Sequence, residues 1–275
     1  MVHDCLGDMK SYLFEHSYDD FMESTSSCTS PMKHCIDTVD LDYWRNPQGI
    51  EIPDDELRFL LVPDFVESAV CLELARQVHG YQQRMSGKPD RITSVLMVAM
   101  GGLLPGVLLY DHLVGGCSQH PAKIRFGTVA VSAYTGPGKR HGQPRIQDEI
   151  SMPMQGKTVL IVDDLGDSGD TMQFLADHVL EKGASKVMVL TLYMKPEAMR
   201  KYTADFYFGE VSQETWLITP RERVETMMKR VPVWKKRGAT EQECHRRLCD
   251  LIGYSVSEVD YYLPIAYSGI ENKAV

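Results

Sequence analysis

The sequence predicts an α/β protein built on a central, mostly parallel, twisted sheet with flanking helices. Three observations carry that expectation. Val159, Leu160, Ile161 and Val162 form a short continuous apolar run rich in β-branched residues, which suits a strand covered on both faces. A glycine-bearing turn follows at once, and then Met172, Leu175, Ala176, Val179 and Leu180 recur at helical spacing. The same order of strand, glycine turn and helix stands upstream around Gly101 and Gly102, and strand-like runs at Ile124 to Tyr134 and Val187 to Leu192 continue the alternation.

Taken in order, residues 1–55 are polar, with S-T-S-S-C-T-S at 24 to 30, and read as a loosely structured N-terminal arm. Asp64 and Glu67 look like a capping box behind Pro63, and Val66, Val70, Leu74 and Val78 recur on one face. A helix is expected there, ending between Gly80 and Gly87. Val95 to Ala99 reads as a strand, and Pro105 to Leu113 as a helix with its proline tolerated in the first turn. Thr135 to Pro153 holds three glycines and three prolines around Lys139, Arg140, His141 and Arg145, and reads as a mobile basic loop. The strand from Thr158 leads into a helix ending at Gly183. Residues 221–262 are helical in pattern, with Thr240 and Glu243 as a second capping box. Three parts follow: an arm over 1–55, a main domain over 56–222 and a helical extension over 223–275.

A chain of 275 residues with 43% hydrophobic content can bury a full core. The seven cysteines form no C-x-x-C pair, so neither a disulfide framework nor a zinc site is expected, and a reducing cytoplasm is the default location. No apolar run is long enough for a membrane span, and no basic-then-apolar leader opens the chain. The net charge of −9 disfavours general nucleic-acid binding. Lys229, Arg230, Lys235, Lys236, Arg237, Arg246 and Arg247 are the exception, a basic cluster that reads as a solvated helix face or an anion contact.

The chemistry concentrates in Thr158 to Thr171, T-V-L-I-V-D-D-L-G-D-S-G-D-T. Asp163 and Asp164 end the strand at the sheet edge where ligands bind in open α/β sheets. Gly169, flanked by the Ser168 and Thr171 hydroxyls, opens a helix whose unpaired N–H groups can cradle a phosphate. Asp163, Asp164, Asp167 and Asp170 would repel a bare phosphate, so the ligand is expected to bring Mg²⁺ and sugar hydroxyls as well. An acidic helix cap on Asp170 or Ser168 would explain one or two of these residues but leave the paired Asp163 and Asp164 without a role.

These residues resemble the 5-phosphoribosyl-1-pyrophosphate (PRPP) motif of type I phosphoribosyltransferases, with Gly166 where a branched apolar residue is usual. Leu96 to Leu108 is similar to the pyrophosphate loop of the purine branch, S-R-G-G-L-x-P-G, with Met100 in place of its arginine. The stretches Lys195-Pro196 and V-S-Q-E-T-W-L-I-T-P-R-E at 211 to 222 resemble the base-binding end of the xanthine-guanine and hypoxanthine enzymes.

The resemblance implies PRPP and a purine base as ligands, Mg²⁺ as cofactor and a homodimer or homotetramer. It implies that Asp163 and Asp164 meet ribose hydroxyls or metal, that Asp167 takes the N7 proton, and that Ser168, Gly169, Asp170 and Thr171 grip the 5-phosphate. Met100, Gly101 and Gly102 would donate amides to pyrophosphate, and Glu222 would meet the metal. Lys195 would donate to the purine oxygen, Trp216 would stack on the ring, and Leu217 or Ile218 would offer carbonyls. Tyr134, Lys139, Arg140 and Arg145 would belong to a hood that closes over the site, within a small hood and base-binding subdomain. A non-catalytic PRPP-binding regulator acting through residues 229–247 is the rival function. A phospho-receiver domain fails, because Asp205 follows no apolar strand.

Overall fold

The computed structural model describes residues 38–115, 124–136 and 139–269, with the side chains of 115, 132–136 and 139–143 left outside that description. In chain order the elements are α1 (Leu41–Arg45), β1 (Ile50–Glu51), β2 (Arg58–Leu61), α2 (Asp64–Arg84), β3 (Ile92–Ala99), α3 (Leu103–Tyr110), β4 (Arg125–Gly136) and β5 (Lys139–Asp148). There follow β6 (Thr158–Gly166), α4 (Asp170–Glu181), β7 (Lys186–Met194), α5 (Pro196–Lys201), β8 (Phe206–Glu210), β9 (Thr215–Ile218), α6 (Arg223–Lys236), α7 (Glu241–Arg246) and α8 (Val256–Ser268). Most of the expected arm, residues 1–37, lies outside the described residues.

Six strands form the main sheet in the order β5-β4-β3-β6-β7-β8. All neighbours are parallel except β4 and β5. The apolar run anticipated as a doubly covered strand sits at its centre in β6. Val159 and Ile161 pack with Leu96, Val129 and Val189 against Leu175 and Val179 of α4. Leu160 and Val162, turned to the other face by strand alternation, are equally inaccessible. Each such side chain contributes about 1.5–3 kcal/mol by burial, which anchors the strand that carries Asp163 and Asp164 at its end.

Two expectations are corrected here. The loop expected from Thr135 to Pro153 contains a strand, β5, paired antiparallel to β4 from Ala130↔Asp148 to Gly136↔Lys139 with several register shifts. Glycine and proline dominated the sequence signal, but an edge strand has only one ladder to maintain and can carry Pro144. The capping box at Asp64 and Glu67 does not form. Pro63 occupies the cap with no side-chain acceptor, and the Glu67 side chain is buried. Thr240 does cap α7, accepting the Glu243 amide at 3.1 Å, while the Glu243 carboxylate turns to Arg246 and Arg247.

A second, smaller sheet, β1-β2-β9, pairs β2 and β9 in parallel. Ile52, Phe59 and Ile218 from this sheet share a core with Met227, Val231, Trp234, Leu248, Val259 and Leu263. The buried Trp234 indole N–H donates to Asp55 at 2.5 Å, and Arg230 donates to the same carboxylate at 2.5 Å. Residues on both sides of positions 56 and 222 therefore close one core. The basic cluster belongs to this region: Lys229 pairs with Glu225, Arg237 with Glu56, and Arg246 and Arg247 with Glu243. No helix among the described residues is long and apolar enough to cross a membrane.

Candidate functional site

The site is built where the carboxyl ends of β3, β6 and β7 meet. The turn after β3 lies against the end of β6. A Cβ at Gly101 would fall 2.5 Å from a carboxylate oxygen of Asp163 and of Asp164, and one at Gly102 would fall 1.9 Å from the Val162 carbonyl. Glycine is thus required at both positions by the close approach of two strand ends. The Ala99–Met100 peptide is cis, and the Met100 side chain is exposed. The expected pyrophosphate-loop glycines thus lie directly against the paired aspartates.

After β6 the chain turns into α4 through Gly169, whose φ of +82° is left-handed and which stands at the helix cap without a capping side chain. The cap therefore falls on glycine, not on Asp170 or Ser168. Ser168 Oγ accepts the Asp170 amide at 3.3 Å and donates to Asp170 Oδ2 at 2.7 Å. Gly166 is also explained: a Cβ there would lie 2.4 Å from Met194 Sδ and 2.7 Å from Met172 Cε. Two methionines fill the space that a branched residue would claim.

The excess of acid is met by cations from elsewhere in the chain. Lys195, at the end of β7, pairs with Asp167 at 3.0 Å. Lys201, at the end of α5, pairs with Asp170 at 2.8 Å. Arg221, after β9, pairs with Asp164 at 3.2 Å and with Glu222 at 2.7 Å. Three of the four motif aspartates thus have a positive partner. Asp163 has its carboxyl pushed well above the usual carboxylate range, by burial and then by the charge of Asp164. Burial, and then Asp164, also raise Glu222 to about 7. Glu67, reaching in from α2, is raised to about 7 by burial first, then by Asp164 and Asp64. Neither Lys201, Arg221 nor Glu67 was foreseen as part of the site. Arg221 lies inside the 211–222 stretch and Glu67 was read as a capping residue, but their place beside Asp164 depends on separate elements brought together by the fold.

The base-side residues divide. Lys195 is buried beside Asp167, so the expected oxygen donor and the expected proton acceptor are partners. Trp216 lies in β9, where its indole N–H donates to Thr226 at 3.1 Å, Lys229 sits 5.5 Å from the ring centroid, and the side chain packs on the second core. Ile218 is fully buried, and its carbonyl already accepts the Val62 amide at 2.9 Å. Leu217 is buried, opposite Leu60 in the ladder. In the hood, the backbone of Tyr134 pairs with Arg140 and that of Gly136 with Lys139, whereas the side chains of Tyr134, Lys139 and Arg140 lie outside the described residues. Arg145 is exposed on β5 opposite Ser132.

Asp163 and Asp164 supply hard oxygen donors, few in number, which fits Mg²⁺ held jointly by protein, water and a polyphosphate ligand. Among the described residues, no group of three or more His, Cys, Asp or Glu side chains forms a metal cage.

A family model for the phosphoribosyl transferase domain matches residues 59–220. Curated relatives include a xanthine-guanine phosphoribosyltransferase of Gluconobacter oxydans, 30% identical over 54% of this chain and 79% of that protein. A hypoxanthine-guanine phosphoribosyltransferase of Mycobacterium avium is 33% identical over 57% of this chain and 73% of its own. A solved purine phosphoribosyltransferase from Pyrococcus horikoshii aligns with a TM-score of 0.47 at 25% identity, covering 59% of this chain and 92% of that one.

Proposed function

The chain belongs to the phosphoribosyl transferase domain family, and we propose that it transfers phosphoribose from PRPP to N9 of a 6-oxopurine such as hypoxanthine, guanine or xanthine. The products are the nucleoside monophosphate and pyrophosphate. One observation carries the reading: Asp163 and Asp164 lie in the last four residues of β6, with the Gly101-Gly102 turn flush against them and a glycine-opened helix a few residues beyond. That arrangement offers sugar, pyrophosphate and 5-phosphate three adjacent places. The relatives' names support a purine as acceptor.

In this reaction the bond from the anomeric carbon to pyrophosphate breaks as N9 approaches, and the sugar passes through an oxocarbenium-like state. The Asp163 and Asp164 carboxyl groups hold the ribose hydroxyls, and the negative charge of Asp164 favours the cationic sugar. Asp163 and Asp164 would hold Mg²⁺ together with the ligand, and the ion would supply positive charge against the pyrophosphate. Amides of Met100 to Gly102 donate to the same group. Ser168, Gly169 and Thr171 hold the 5-phosphate at the start of α4, so that binding energy far from the reacting carbon orients the sugar. Asp167 accepts the N7 proton. Lys195, 3.0 Å from Asp167, is placed to share its donors between that carboxylate and the purine oxygen.

The test is pyrophosphate release from PRPP with hypoxanthine, guanine, xanthine and adenine in turn, with Mg²⁺ and again with excess chelator. Turnover with one or more 6-oxopurines, lost on chelation, is expected. PRPP binding without pyrophosphate release from any base would instead make the protein a PRPP-binding regulator.

A further inference from the structure

Of the motif's four aspartates, Asp170 sits least comfortably in the proposed reading. It is the first residue of α4, where a ligand phosphate would meet the helix amides, and a carboxylate there opposes a phosphate dianion. The structure answers this with α5. A Cβ at Gly169 would come 3.2 Å from Lys201 Cβ and 3.3 Å from Ala198 Cα, so α5 lies directly on the turn. From its end Lys201 reaches Asp170 Oδ1 at 2.8 Å, while Asp170 Oδ2 accepts the Ser168 hydroxyl at 2.7 Å. Ser168, Asp170 and Lys201 thus form one chain of contacts around the start of α4. A lysine ammonium carries three donors, enough to serve Asp170 and a phosphate oxygen together.

We propose that Lys201 is a phosphate-binding residue of the sugar-phosphate subsite and that Asp170 is the side chain that holds it there. The assignment rests on the PRPP reading of the same turn. An exposed lysine–aspartate pair adds little to folding, so a merely structural pair would be silent to a phosphate ligand. A holder has a different signature, because removing the lysine takes away the positive partner that Asp170 has at 2.8 Å beside the ligand.

Calorimetric titration of the full chain with ribose 5-phosphate, and separately with PRPP and Mg²⁺, distinguishes the two. Lys201→Ala is expected to weaken ribose 5-phosphate about 10-fold and Lys201→Arg to recover most of that loss. In an Asp170→Asn background the Lys201→Ala penalty should shrink to about three-fold, since the carboxylate nearest the ligand then needs no offsetting and only Glu197, 3.7 Å from Lys201, remains paired with it. In steady-state assays the loss should fall on KM for PRPP more than on kcat. Wild-type binding matched by Lys201→Ala would overturn the assignment and leave the proposed function standing. An undiminished Lys201→Ala penalty in the Asp170→Asn background would overturn the holder role of Asp170. Failure of the wild-type protein to bind either ligand would remove the proposed function and this assignment with it.

Discussion

The half of the candidate site proposed for the sugar phosphate and the half proposed for the base are built in different ways. The first is nearly continuous: one buried strand delivers Asp163 and Asp164, the next few residues deliver Asp167 to Thr171, and a neighbouring turn completes it at Gly101 and Gly102. The second is assembled from the end of β7, the short strand β9 and the helices packed behind it, with Trp216 tied to Thr226 and Lys229 of α6. The family match ends at residue 220, so most of the core behind Trp216 lies beyond it. A half supported by a continuous element tolerates change outside itself, whereas a half suspended on a second core inherits that core's stability.

Substitutions can break or sharpen this contrast. The largest effect is expected at the joint between the halves. Asp167→Asn should lower kcat by about 100-fold or more while leaving KM for PRPP within a few-fold, as read by initial rates. An unchanged kcat would remove Asp167 from the proton-accepting role. Next comes Gly102→Ala, whose Cβ would meet the Val162 carbonyl at 1.9 Å. It should cost about 1–3 kcal/mol in a urea titration and impair turnover with every purine alike. Trp216→Leu probes the base half. If the indole stacks on the base, KM for purine rises about 10-fold with PRPP unaffected. A lowered melting temperature with unchanged KM would make Trp216 a core residue alone.

The smallest effect is electrostatic. Glu67 is raised in the folded protein to about 7 from an ordinary value of 4.5. Below its unfolded value the group is protonated in both states and costs nothing. Between 4.5 and about 7 the folded state binds the extra proton, so stability falls as pH rises through that window and stays low above it. Glu67→Gln should therefore match wild type near pH 4 and exceed it at pH 8, by something on the order of 1 kcal/mol in urea midpoints. Equal midpoints at both pH values would show that the Glu67 carboxyl is not desolvated in the fold.

Legibility in the sequence follows the same division. The strand of Val159 to Val162, its acidic end and the glycine turns were readable because alternation, burial and tight turns leave local marks. The antiparallel β5 was not, since an edge strand rich in glycine and proline looks like a loop. The capping box at Glu67 misread a residue whose side chain turns inward to the site. The small sheet β1-β2-β9 escaped notice because its strands have two to four residues, too few for a period to register. The basic cluster at 229 to 247 reads in sequence as a solvated helix face or an anion contact, and in the fold its partners are acids of the same region, Glu56 and Glu243 among them.

The chain's local chemistry thus establishes the fold class, the doubly covered strand, the position of the paired aspartates and the turn that opens α4, all consequences of residues within one or two turns of each other. How four carboxylates coexist beside the proposed phosphate site could not be found that way. Lys195, Lys201 and Arg221 lie some thirty to sixty residues downstream of their partners, and Coulomb attraction acts through space, not along the chain. Packing α5 and the end of β9 onto the carboxyl edge of β6 is what turns an overcharged segment into a balanced site.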